Sequence, residues 1–241
     1  MSVMKNPKKL VFLFFFPFLL SFFSCTASID GAVREGGAVE LQLRASLGPR
    51  ITGVVRSLRL FMGEGEETPL LDGPAISRSL ALTPGIRSAS LRNLDDQTLD
   101  GLISVSNLEE FLVPVHGLHG RFITYTEGQS SSIVVYLDRE IAPLLVSLLF
   151  PELEEYLSAL MAPALLGEAM TAGEYLNLIA SFYARPVADE IAAGRIRASI
   201  EFPRPLSFVQ GGTFSGRRAE FDISLLDLLV LEQPLRYEVR W

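Results

Sequence analysis

The chain has 241 residues, 49% of them hydrophobic, and its 28 acidic against 21 basic side chains give a net charge of −7. An acidic body excludes nucleic acid as a partner and argues against charge-driven adsorption to anionic lipid. A single cysteine excludes an intrachain disulfide, so the core must hold by packing alone.

The first element is Met1 to Cys25. Lys5, Lys8 and Lys9 precede an apolar run of 14 residues, Leu10 to Phe23, and Ser24 and Cys25 follow it. A basic n-region, an h-region and a small residue before a cleavage point make up an export signal. A retained membrane span fits less well, because it needs roughly 20 apolar residues and this run is shorter and holds Pro17. Plain secretory cleavage wants small residues at −1 and −3, and Phe22 is bulky. All three lysines lie in the n-region, so from Cys25 to Trp241 there are 18 arginines against 28 acids.

The stretch Ser21-Phe22-Phe23-Ser24-Cys25 resembles the lipobox of bacterial lipoproteins. With Phe22 in place of the usual Leu, and an Arg-only acidic body behind it, it is similar to the relaxed form found in spirochaetal, treponemal-type lipoproteins. The resemblance implies that residues 1–24 are a lipoprotein signal peptide and that Cys25 becomes the lipidated N-terminus, carrying two or three acyl chains such as palmitate. It also implies a protein anchored to the cell membrane, facing the periplasm or the outer surface of the envelope. Each buried methylene contributes about 0.8 kcal/mol, so two or three chains hold a protein on a membrane where one does not.

Thr26 to Gly37 is small, polar and Gly-containing, which predicts a tether over 25–37 and a single folded domain over 38–241. Val39, Leu41, Leu43 and Ala45 alternate with Glu40, Gln42 and Arg44, the period of a half-buried strand. Arg50 to Met62 has the spacing of a helix, with Ile51, Val54, Val55, Leu58 and Phe61 on one face. Gly63 to Glu67 is an acidic loop without EF-hand spacing. A second helix over Asp72–Leu82 ends at Thr83-Pro84-Gly85. Hairpins follow over Arg87–Asn93 with Leu99–Ser106, and over Phe122–Thr126 with Ile133–Leu137.

The middle of the chain is helical. Pro151 suits a first helical turn, and Leu153, Tyr156, Leu157, Leu160 and Met161 follow at helical spacing. Thr171-Ala172-Gly173-Glu174 matches a capping box, with Met170 and Tyr175 placed as its hydrophobic staple. That helix runs on through Leu178, Ile179, Phe182 and Tyr183, and a short one reaches Gly194, a C-terminal cap. Three alternating segments close the chain: Ile196–Phe202, Ala219–Ile223 and Leu235–Trp241. Alternation with one wet face favours antiparallel pairing and points Trp241 toward the core. The expected fold class is α+β, an antiparallel sheet with the helices from the middle of the chain packed on one face.

Few residues carry chemistry. His116 and His119 are the only histidines. A zinc site needs three or four ligands, so a metal reading of this loop, and with it a metal-dependent hydrolase, requires Glu109, Glu110 or Glu127 to close the set. Gly211 to Gly216 lacks the lysine of a phosphate loop, and no Gly-x-Ser-x-Gly elbow occurs. The apolar block from Ile141 to Phe182 either builds an ordinary core or lines a lipid groove, with Tyr156, Leu157, Leu160, Tyr175, Ile179 and Phe182 as candidate lining residues. The poverty of catalytic side chains leads us to expect no enzyme and no cofactor. The expected partners are the membrane, through the acyl chains, and a bound lipid or envelope protein.

Overall fold

The computed structural model describes residues 25–61, 70–111, 118, 120–149, 151, 154, 157–158 and 160–241. The fold is α+β, and its centre is a seven-stranded sheet ordered β3-β4-β2-β1-β7-β10-β9. Its strands are β1 (Thr26–Val33), β2 (Val39–Ser46), β3 (Ile86–Asn93), β4 (Thr98–Val105), β7 (Arg195–Glu201), β9 (Thr213–Ser215) and β10 (Arg218–Ser224). Every pair is antiparallel except β1 with β7, where Ile29 lies opposite Ala198.

The tether is the first correction. Thr26–Val33 is the central strand of the large sheet, and only Glu35–Gly37 forms a short 3-10 turn after it. The folded region therefore begins directly after Cys25, not at residue 38. Crowding accounts for the glycine in the strand. A Cβ on Gly31 would stand 2.5 Å from Leu41 Cδ2 and 2.6 Å from the Glu40 carbonyl oxygen.

The structure adds a second sheet to the one expected. The last segment, β11 (Leu235–Arg240), belongs to a separate four-stranded sheet with β5 (Ile123–Thr126), β6 (Ser132–Leu137) and β8 (Phe208–Gln210), in the order β5-β6-β11-β8. Period-two alternation fixes which way side chains face and leaves the neighbouring strand open. This second sheet packs on the inner face of the first at one end. Val33, Val39 and Val105 meet Ile133, Val239, Phe202 and Trp241 there. Trp241 is buried as expected, its ring 4.9 Å from that of Phe202.

Helices cover the other end of the same face. They are α1 (Pro49–Phe61), α2 (Gly73–Ala81), α3 (Ala142–Leu149), α4 (Pro163–Leu166), α5 (Ala172–Tyr183), α6 (Arg185–Ala193) and α7 (Leu225–Val230). The helices therefore cover part of the face, and they come from both sides of the middle of the chain.

Local signals start them. The Asp72 carboxylate accepts from Ala75 N–H at the start of α2, and Pro74 sits in its first turn. Thr171 and Glu174 form the expected capping box of α5. Helix α1 takes its cap from another helix: the buried Glu190 carboxylate of α6 accepts from Arg50 N–H at 3.1 Å and Ile51 N–H at 2.9 Å. A negative group at a helix N-terminus meets unpaired donors and the positive end of the dipole. Gly194 ends α6 in an extended conformation, and a Cβ there would lie 2.7 Å from Leu225 Cδ2.

Candidate functional site

The inner face of the large sheet reads Cys25, Ala27, Ile29, Gly31, Val33 along the first strand and Val39, Leu41, Leu43, Ala45 along its neighbour. Side chains of one parity share a face, and the register sets Ile29 beside Leu43 and Gly31 beside Leu41. Two almost wholly apolar chambers lie on this face. The first, about 270 Å³, is at the helical end, between Ala27, Leu43, Ala45, Leu99 and Ile196 of the sheet and Ile51, Val55, Leu157, Leu160 and Leu229 above it. The second, about 360 Å³, is at the other end, between Val33, Leu41, Ile103 and Ile200 and the second sheet's Ile123, Val135 and Val239. Arg195 is the single charged residue in either lining. From Ala27 to Val33 the face runs about 20 Å, six residues of strand rise.

Cys25 stands in the wall of the first chamber and is 8% exposed. Its sulfur accepts a hydrogen bond from Gly48 N–H at 3.2 Å, and its carbonyl oxygen accepts one from Arg195 N–H at 3.1 Å. Burial pushes the thiol up to about 11; the nearby Glu190 carboxylate adds to the rise, and the Gly48 N–H opposes it. At neutral pH the folded domain thus holds Cys25 as a neutral, sheltered thiol, a poor nucleophile.

The candidate lining residues separate into three groups. Leu157 and Leu160 line the first chamber. Tyr175 and Ile179 are fully buried behind it, where Tyr175 O–H donates to the Leu160 carbonyl at 3.0 Å and burial raises its phenol pKa. They hold the wall and do not form it. Phe182 is a correction: it is 67% exposed, because the inward stripe of α5 runs through Tyr175 and Ile179 to Tyr183. Tyr156 lies outside the described residues, and so do His116 and His119, although Leu118 between them is buried. Among the described residues no group of three or more His, Cys, Asp or Glu is placed to hold a metal ion, and no helix is long and apolar enough to cross a membrane.

Sequence reasoning expected lining from the inward faces of the last strands, where Ile196 lies, and placed Leu43 and Ala45 on a core face without marking them as cavity lining. It missed Ala27, Glu190 and Leu229. The alternation of Ala27, Ile29, Gly31 and Val33 is a signal for the first, weak because two of the four residues have almost no side chain.

No protein-family model and no curated protein matches the chain. Among solved structures it is similar to the folded domain of the LppM protein of Mycobacterium tuberculosis, determined by NMR, at 8% identity and a TM-score of 0.40 over 90% of this chain and 89% of that one. That score is below the level at which two chains share a topology.

Proposed function

We propose that this chain is a non-catalytic envelope protein, anchored to the cell membrane by acyl chains on Cys25, that binds an amphiphile in the apolar interior beneath its large sheet. The observation that carries the reading is the pair of chambers of about 270 and 360 Å³ along one sheet face, with a single charge in their linings. Close-packed interiors hold few voids larger than a water molecule. Ligand pockets of about 300 Å³ and more, lined by apolar side chains, take hydrocarbon well. Leu157 and Leu160, from the helical middle of the chain, support this use of the first chamber.

The test uses an anchor-free form, Cys25→Ser secreted by a plain signal, exposed to phospholipid vesicles and examined by native mass spectrometry. It should retain bound lipid. Leu157→Glu should lose that lipid with its circular dichroism unchanged, and Phe182→Glu should keep it, since Phe182 faces solvent. A lipid-free protein would leave only the binding of an envelope partner. Hydrolysis abolished by His116→Ala in a folded protein would replace the reading with a metal-dependent hydrolase.

A further inference from the structure

Cys25 is pinned on two sides. Its sulfur is held by Gly48 N–H and its carbonyl by Arg195 N–H, and the first residue of β1 follows at once. No flexible residue separates the sulfur from the sheet. Parity puts Cys25 on the inner face with Ala27 and Ile29, and the residue is part of the wall of the first chamber. A chain attached at that sulfur therefore starts inside the wall. A thioether sulfur still accepts a hydrogen bond, so the Gly48 contact survives alkylation.

We infer that the first chamber is the seat of the protein's own anchor: one acyl chain carried on Cys25 folds back under the large sheet, and the remaining chain or chains enter the bilayer. The inference rests on the proposed lipidation of Cys25.

The dimensions fit. A bilayer's hydrocarbon core is about 30 Å thick, so one leaflet's acyl chain spans about 15 Å. The first chamber, about 270 Å³, opens beside the sulfur and receives the part of the chain nearest Cys25, and the second, about 360 Å³, is a separate space farther along the same face. The occupant's chemistry fits too, since neither lining holds a charge but Arg195, whose side chain is 40% exposed at the chamber's edge. A tethered chain meets the chamber at an effective concentration in the millimolar range, so it competes strongly with free lipid. The number of chains left in the membrane then decides how firmly the protein is held, and the first chamber sets that number.

The experiment uses the full chain in its membrane. Cells are fed a diazirine-bearing palmitate analogue, irradiated, and the purified protein is digested and mapped by mass spectrometry. The expected product joins the lipidated peptide that begins at Cys25 to peptides carrying Ile51 and Val55, or Leu225 and Leu229. Ala45→Phe, which fills the chamber from its floor, should abolish those joined peptides and raise cross-links from Cys25 chains to phospholipid. Lining peptides that carry a separate phospholipid would assign the chamber to a free amphiphile and overturn the inference. So would cross-links from Cys25 chains to phospholipid alone in the unmodified protein. A peptide beginning at Cys25 without added lipid mass would instead refute the proposed anchoring itself. The unmodified protein decides all three outcomes, so the test stands even where Ala45→Phe does not fold.

Discussion

One sheet face is roofed in two ways, and the two roofs differ in how they can open. Over the first chamber the roof is pieced together from α1, through Ile51 and Val55, α7, six residues long, and the segment around Leu157 and Leu160. Single contacts tie the pieces: Tyr175 O–H to the Leu160 carbonyl, Arg139 to the carbonyls of Val230 and Met170, and Glu232 to Ala172 N–H. Over the second chamber most of the roof is a continuous ladder, with β11 bonded to β6 on one side and β8 on the other, and Leu80 of α2 and Leu149 of α3 close its edge. Separately tied pieces open one at a time, whereas a ladder is released only with the domain's global unfolding. The helical end is therefore expected to open more readily, and the sheet end to act as the fixed wall.

The sharpest way to break this contrast is Trp241→Ala. Trp241 packs on Phe202 and Tyr125, and its backbone exchanges two hydrogen bonds with Ser131. Truncating a buried tryptophan costs about 3–5 kcal/mol, and denaturant melts should show that loss as one cooperative transition. A loss under about 1 kcal/mol would mean that the sheet end is not the fixed wall.

A second effect belongs to the helical end. In unlipidated protein the Cys25 thiol moves from an ordinary 9.0 to about 11 on folding. The folded state then binds more protons between those values, so stability is full below pH 9 and falls as pH rises toward 11. The difference in slope between unlipidated wild type and Cys25→Ser should amount to about 2–3 kcal/mol across that window. Lipidated protein has no thiol there and should match the serine variant; equal slopes in all three forms would show that folding does not shelter the sulfur.

The smallest effect is the most local. Tyr175→Phe leaves the Leu160 carbonyl without its buried donor and should cost about 1 kcal/mol. Hydrogen exchange should quicken over residues 160–183 while β6 and β11 keep their protection. Equal quickening at both ends would make the two roofs one cooperative unit.

Much of this was legible in the residues. Clean alternation located β2, β7, β10 and β11, though not the three-residue strands β8 and β9, and the Thr171–Glu174 box located the start of α5. The first strand was hidden because Thr26, Ser28, Asp30 and Gly31 have the small polar makeup of a linker, and its partner β7 lies far along the chain. The second sheet was hidden because Leu235, Tyr237 and Val239 declare a face and no neighbour. For the site, helical spacing found Leu157 and Leu160. It could not separate lining from filling, since a cavity exists where tertiary packing stops short, and no local pattern records that.

The pairing of β1 with β7 also orders events in time. β1 can meet β2 as soon as both have emerged, but its other neighbour begins at Arg195. The core cluster that holds Cys25 is completed from late in the chain, by Val187, Ile191 and Leu229 among others. Contacts so distant in sequence form slowly, and a chain emerging N-terminus first leaves its early segments uncovered meanwhile. The sulfur that is sealed in the finished domain is thus open for most of synthesis. On the proposed lipidation of Cys25, a modifying enzyme would have that interval in which to act, and folding would close it afterwards.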